Sequence, residues 1–101
     1  MKKIIGLNQN IKDYKGKEIV GEDGKPATTK DFFLNVIGGT QSKDGRDSMI
    51  IDRAGRKMAD TEENEIEVED YDYSLIKKAV ESCQWATLIK SALMNALGEK
   101  L

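Results

Sequence analysis

Residues 85–97 read Trp85-Ala86-Thr87-Leu88-Ile89-Lys90-Ser91-Ala92-Leu93-Met94-Asn95-Ala96-Leu97, and this stretch decides how the chain folds. Nine of its thirteen residues are apolar, and Lys90 carries its one charge. On a helix, Ala86, Ile89, Leu93 and Leu97 form one stripe, and Trp85, Leu88, Ala92 and Ala96 form a second beside it. A helix that is apolar on nearly every side has to be buried. In a chain of 101 residues it is either the central core helix or the seam between copies. Trp85, Leu88, Ile89, Ala92, Leu93 and Leu97 are the expected oligomer interface, and the expected assembly is a homo-oligomer, most simply a dimer.

Working back from this stretch, Leu75, Ile76, Ala79, Val80 and Cys83 recur at helical spacing, with Asp70 or Asp72 as the cap. Lys77, Lys78 and Glu81 fall on the opposite side. If this helix ran unbroken into residues 85–97, Trp85 would line up with Lys78 and Glu81 on the wet side. A break near Ser82-Cys83-Gln84, or a partner, removes that conflict.

Residues 64–69, Asn-Glu-Ile-Glu-Val-Glu, alternate charge with β-branched residues. This is the pattern of a short edge strand with Ile66 and Val68 inward and an acidic row outward. An acidic edge discourages pairing with other chains. Upstream, a helix is expected from Asp47 to Ala59, with Met49, Ile50, Ala54 and Met58 as its apolar stripe. Gly55 is a weak point, because an interior glycine costs about 1 kcal/mol against alanine. Before it, Thr40 to Gly45 is a polar loop. An earlier helix starts at Thr28 or Thr29, with Asp31 in its first turn, carries Phe32, Phe33, Val36 and Ile37, and is stopped by Gly38-Gly39.

Residues 1–27 hold strand and turn signals instead of helix: the short run Ile4-Ile5, a hairpin from Ile11 to Val20 about Tyr14-Lys15-Gly16-Lys17, and turn chemistry from Gly21 to Pro26. No internal repeat stands out. The expected fold is α+β and mostly helical: a short N-terminal β-hairpin or extended arm over 1–27, then a helical core over 28–101 with a short acidic strand and three to four helices, all as one domain.

Composition excludes several function classes. The apolar fraction is 39%, the charged fraction 34% and the net charge −2. Histidine is absent, which removes Ser-His-Asp and Cys-His catalysis and most transition-metal sites. One cysteine, Cys83, forms no internal disulfide and no Cys-based zinc site. Its place on an apolar helix face marks it as a buried structural thiol. Neither GxGxxG nor GxxxxGK[ST] occurs, so no phosphate-binding loop is expected. Lys2 and Lys3 precede too short an apolar run for a signal peptide, and no stretch is long enough to span a membrane. No enzyme activity, cofactor, metal or membrane contact is expected, and the expected location is the cytoplasm.

Charge is unevenly placed. Residues 1–59 carry a net +4, residues 60–72 carry eight acids and no base, and residues 73–101 carry a net +2. The acidic band holds Glu62, Glu63, Glu65, Glu67, Glu69, Asp70 and Asp72. Its spacing does not match an EF-hand loop. The plain reading is a solvated strand edge with helix-capping acids. The functional reading is a partner-binding face made by Glu63, Glu65, Glu67, Glu69 and Asp70. Arg53, Arg56 and Lys57 form a basic cluster on a helix, but an acidic chain is an uncommon nucleic-acid binder.

The order of pieces resembles that of small accessory proteins of tailed bacteriophages and prophages. The resemblance lies in the extended IKDYKGKEIVGEDGKP region, the TTKDFFLNVIG helix and EIEVEDYDYSLIKKAV before the last helix. The last stretch, WATLIKSALMNAL, is more apolar than that group suggests. The resemblance implies a small accessory role in a phage genome, acting in the host cytoplasm, and carries over no catalytic residue. The expected function is non-enzymatic binding of a protein partner, such as a host or defence factor. The alternatives are a virion-assembly oligomer, and a weak nucleic-acid binder acting through Arg53, Arg56 and Lys57.

Overall fold

A computed structural model describes residues 1–21, 23–40 and 44–99. Parts of the expected loop at 40–45 and of the turn at 21–26 lie outside the described residues. The elements are β1 (Lys2–Ile4), α1 (Thr29–Gly39), α2 (Gly45–Asp60), β2 (Ile66–Val68), α3 (Asp70–Ser82) and α4 (Thr87–Ala96). The mostly helical α+β architecture is the one the sequence predicts.

β2 is the strand expected from alternation: Ile66 and Val68 are buried and Glu67 is exposed. It pairs antiparallel with β1 in the register Lys2↔Val68, Lys3↔Glu67 and Ile4↔Ile66. The two strands lie far apart in sequence, so the sheet is not a local hairpin. Ile4 and Leu7 are fully buried in the same cluster as the helices. The N-terminal residues are therefore built into the core.

Residues 10–28 return on themselves through three isolated bridges, Asn10↔Thr28, Lys12↔Glu18 and Val20↔Pro26. The backbone hydrogen bonds recur at a spacing of eight residues, at 11, 19 and 27. The Ile11 N–H donates to Ala27 O, Ile19 N–H to Ile11 O, and Ala27 N–H to Ile19 O, which closes a triangle. Gly16 and Gly24 take equivalent places at the two turns, with φ of +84° and +78° that favour glycine.

Thr28 caps α1. Its hydroxyl accepts from the Asp31 N–H while Asp31 accepts from the Thr28 N–H, a reciprocal capping box. Two further N–H groups, those of Thr29 and Lys30, donate to Gln9 O and Leu7 O. The N-terminal segment thus satisfies donors that a helix start leaves open. Gly38-Gly39 does not stop the helix early; α1 runs through both and ends at the extended Thr40.

α2 begins at Gly45, with Asp44 accepting from the Arg46 N–H, and ends at Asp60. Its buried face is Ile51, Ala54, Gly55 and Met58. That corrects the expected stripe: Met49 is 76% exposed, and Ile51 takes its place at the spacing that matches 54, 55 and 58. α3 buries Tyr73, Ile76, Ala79 and Val80. Its N-cap residue is Glu69, with no side-chain cap bond, so neither Asp70 nor Asp72 is the cap.

The last stretch is corrected most. It is not apolar all round. Leu93, Ala96 and Leu97 are buried, Leu88, Ile89, Ala92 and Met94 are half-buried, and Thr87, Ser91 and Asn95 are exposed. Three small polar residues four apart form a wet stripe without charges. Leu93 and Leu97 lie within this chain's own core, so they do not face outward as a seam. Trp85 stands outside the helix, in the linker between α3 and α4, where its ring meets Phe32 edge-on, with centroids 5.4 Å apart and planes at 78°. Gly98, at φ +82°, ends the last turn.

Tyr73 fixes the end of α4. Its hydroxyl lies 2.7 Å from both the Leu97 carbonyl and Glu99 Oε1, and Glu99 also pairs with Lys77 at 3.1 Å. Burial, and then the Glu99 contact, pushes the Tyr73 phenol from 10 up to about 12. The stabilisation from this neutral phenol is complete below pH 10 and is lost as pH rises through about 12. An alkaline melting series should show stability falling across that window in the native chain. The fall should be shallower in Tyr73→Phe; identical slopes would remove Tyr73 as the cause.

Candidate functional site

Alternation over residues 65–69 turns Glu65, Glu67 and Glu69 outward, as the sequence predicts. Glu63, Glu65, Glu67, Glu69 and Asp70 are all exposed, and Ile66 and Val68 take the inward positions. Pairing with β1 sets Lys3 opposite Glu67, and the Lys3 ammonium is 4.0 Å from Glu65. Asp70 lies 3.4 Å from the N-terminal ammonium. Among the described residues, no cation lies within ion-pair distance of Glu62, Glu63, Glu67 or Glu69. The approach to the row is held by Asn64, whose carbonyl accepts from the Leu7 N–H and whose side-chain oxygen accepts from the Asn8 N–H. The charges therefore stand on a fixed segment.

Asp72 does not belong to this face. It is buried at 7% exposure and bonds to Arg53 at 3.3 Å. The basic cluster is also committed within the chain. Arg53 holds Asp72, Arg56 holds Asp52 at 2.8 Å, and the Lys57 ammonium donates to the Glu67 carbonyl. The last bond ties α2 to the acidic strand.

At the far end of the band, Tyr71 is 55% exposed and its hydroxyl donates to Asp47 at 2.6 Å. That bond holds the Tyr71 proton more tightly than usual. The exposed Met49 lies two residues beyond Asp47 on α2. Tyrosine and methionine are residue types enriched in protein interfaces. Neither is legible as a site residue from spacing, since exposure at 71 and 49 depends on the helical phases of α3 and α2.

A cleft of about 560 Å³ opens between α1, α2 and α3. Val36, Ile51, Leu75 and Trp85 give it apolar walls, and Asp47 and Lys78 sit among its polar lining. Cys83 also lines it, half-buried, with its thiol donating to Val80 O at 3.0 Å. That corrects the expectation of a fully buried thiol. Of the expected interface residues on the last stretch, Leu88 and Ala92 line a second groove against Ile5 and Ile11.

Among the described residues, no group of three acidic or cysteine side chains is placed to hold a metal ion, and no helix is long and apolar enough to cross a membrane. Comparison with protein-family models, with curated proteins and with solved structures found no match.

Proposed function

We propose that this chain is a small non-enzymatic binding protein that meets a basic protein partner through Glu63, Glu65, Glu67, Glu69 and Asp70. The observation that carries this reading is the acidic row itself: side chains held outward on a backbone fixed by β1 and by Asn64, most of them with no cation of their own. Fixed charges of one sign steer a complementary partner and raise its association rate more than its final affinity. Tyr71, exposed directly after Asp70, supplies apolar contact at one end of the row. The resemblance to phage accessory proteins fits a partner drawn from the host, such as a defence component. The nucleic-acid alternative is favoured less, because the chain carries a net −2 and Arg53 and Arg56 each face a carboxylate of the chain.

The test begins with capture of partners from bacterial lysate and identification by mass spectrometry. Association of the purified partner should then slow as salt rises, because exposed charges are screened within about 8–10 Å at physiological ionic strength. Glu63→Gln, Glu65→Gln, Glu67→Gln and Glu69→Gln together should lower the on-rate about tenfold or more at low salt, with an unchanged circular dichroism spectrum. An on-rate indifferent to both salt and the fourfold variant would leave the row as a solvated edge.

A further inference from the structure

The bend between α3 and α4 has no local cause in the sequence. From Asp70 to Leu97 there is neither glycine nor proline. α3 ends at Cys83 in an extended conformation, φ −72° and ψ 149°, without a left-handed cap. α4 starts from Ala86 at φ −56° and ψ 145°, with no side-chain cap bond. α1 and α2 both start from side-chain caps, Thr28 and Asp44, and α3 follows directly from β2. Every residue of the linker, Cys83-Gln84-Trp85-Ala86, is compatible with helix.

Tertiary contacts hold the bend instead. Trp85 packs against Phe32, and the Lys90 ammonium reaches back to the Glu81 carbonyl at 2.9 Å. The Ile5 N–H donates to Ala96 O at 3.0 Å, and Tyr73 holds Leu97 O. Leu93 and Leu97 fill the core. The contacts that seat α4 beyond the hinge join it to other parts of the molecule. The same groups can meet equally well when α4 comes from a second copy.

We propose that α4 is an exchangeable element, and that two copies of this chain dimerise by swapping it. In the swapped form α3, the linker and α4 make one straight helix over residues 70–96, roughly 40 Å long at 1.5 Å per residue. Straightening at 83–86 swings the linker and α4 away from Phe32, Tyr73 and Ile5, which hold them on their own body. α4 then occupies the site on the partner copy that it fills in its own chain. The seat is complementary by construction, because the incoming helix is identical to the one displaced. Straightening adds helical hydrogen bonds across 83–86 and releases Trp85 from Phe32. Exchange of this kind is a low-cost route to a dimer. It also gives the apolar stripe at 85–97 a role in self-association without requiring Leu93 to face water.

The experiment uses the full chain, refolded from denaturant at millimolar and at micromolar concentration and separated by size with light scattering. A dimer should appear in the concentrated sample. Its chain path is read with spin labels at Ser74→Cys and Asn95→Cys in a Cys83→Ala background, diluted in unlabelled protein so that only distances within one chain are seen. Both sites are exposed. In the dimer they should lie roughly 30 Å apart, as on a straight helix; in the monomer, where Tyr73 touches Leu97, they lie much closer. Ala86→Pro supplies an independent arm. The native φ at 86 suits proline, whereas a proline inside the straight helix disfavours it by about a hundredfold. That variant should stay monomeric under the same conditions. Absence of a dimer, a dimer with the short distance, or a dimer undiminished by Ala86→Pro would each overturn the proposal.

Discussion

Leu93→Asp should leave the chain unfolded at room temperature, whereas Lys78→Asp should melt within a few degrees of the native protein. Leu93 has no exposed surface and lies among the clustered apolar residues of α1, α3 and the sheet. Aspartate there loses a packed isobutyl group, which alone costs about 2–5 kcal/mol when truncated. It also brings a carboxylate into a site without a cation, and burying a charge unpaired adds several kcal/mol more. The sum is comparable to the total stability of a small domain, about 5–15 kcal/mol. Lys78 is exposed at the rim of the cleft, and a surface charge change of this kind usually stays within about 0.5 kcal/mol. Far-ultraviolet circular dichroism against temperature separates the two. Equal melting temperatures would mean that Leu93 is not in the core of this chain.

Local patterns in the sequence are legible in the fold, and helical phase is less so. Period-2 alternation at Asn64–Glu69 identifies the strand, its inward pair and its outward acids without any knowledge of the partner strand. Capping chemistry at Thr28 and Asp31 marks the start of α1 directly. These signals are local, and so survive into the fold. Helical phase is weaker evidence where apolar residues run together. Met49, Ile50 and Ile51 are adjacent, and only packing against α1 decides that Ile51 turns inward and Met49 outward. In α4 the apolar count hides a wet stripe, because Thr87, Ser91 and Asn95 carry no charge and read as neutral filler. Trp85 looks like a helix knob, yet it packs on Phe32 from a linker that no proline or glycine announces.

The candidate site divides along the same line. Exposure of Glu65, Glu67 and Glu69 follows from alternation, and Glu63 is exposed in the segment before the strand. The withdrawal of Asp72 into contact with Arg53 does not, because it depends on where α2 crosses α3. The occupation of Lys57 by the Glu67 carbonyl is likewise invisible from spacing alone. The triangle joining Ile11, Ile19 and Ala27 is made by backbone groups. Its sequence trace is faint, an isoleucine at 11 and 19 and Gly-Lys at 16–17 and 24–25.

Gly55→Leu should destabilise the protein by about 3 kcal/mol, while Gly55→Ala should change it by less than about 1 kcal/mol. Glycine inside a helix is ordinarily a liability, and at 55 the sequence gives no compensation. The structure supplies one. A Cβ at this position would sit 3.0 Å from Cγ2 of Ile37, so α1 and α2 approach where no side chain intervenes. Alanine gains helix propensity of about 1 kcal/mol and requires Ile37 to yield by a few tenths of an ångström, two effects that oppose each other. Leucine drives three further carbons into a contact already closed by Ile37, with Ile51 and Met58 on the same face of α2. Overpacking of this kind forces side chains off their rotamers or pushes helices apart, at typically 1–3 kcal/mol and occasionally more. Urea denaturation of the three forms would rank them. If Gly55→Leu were as stable as Gly55→Ala, the close crossing of α1 and α2 would be wrong, and with it the phase that turns Ile51 inward.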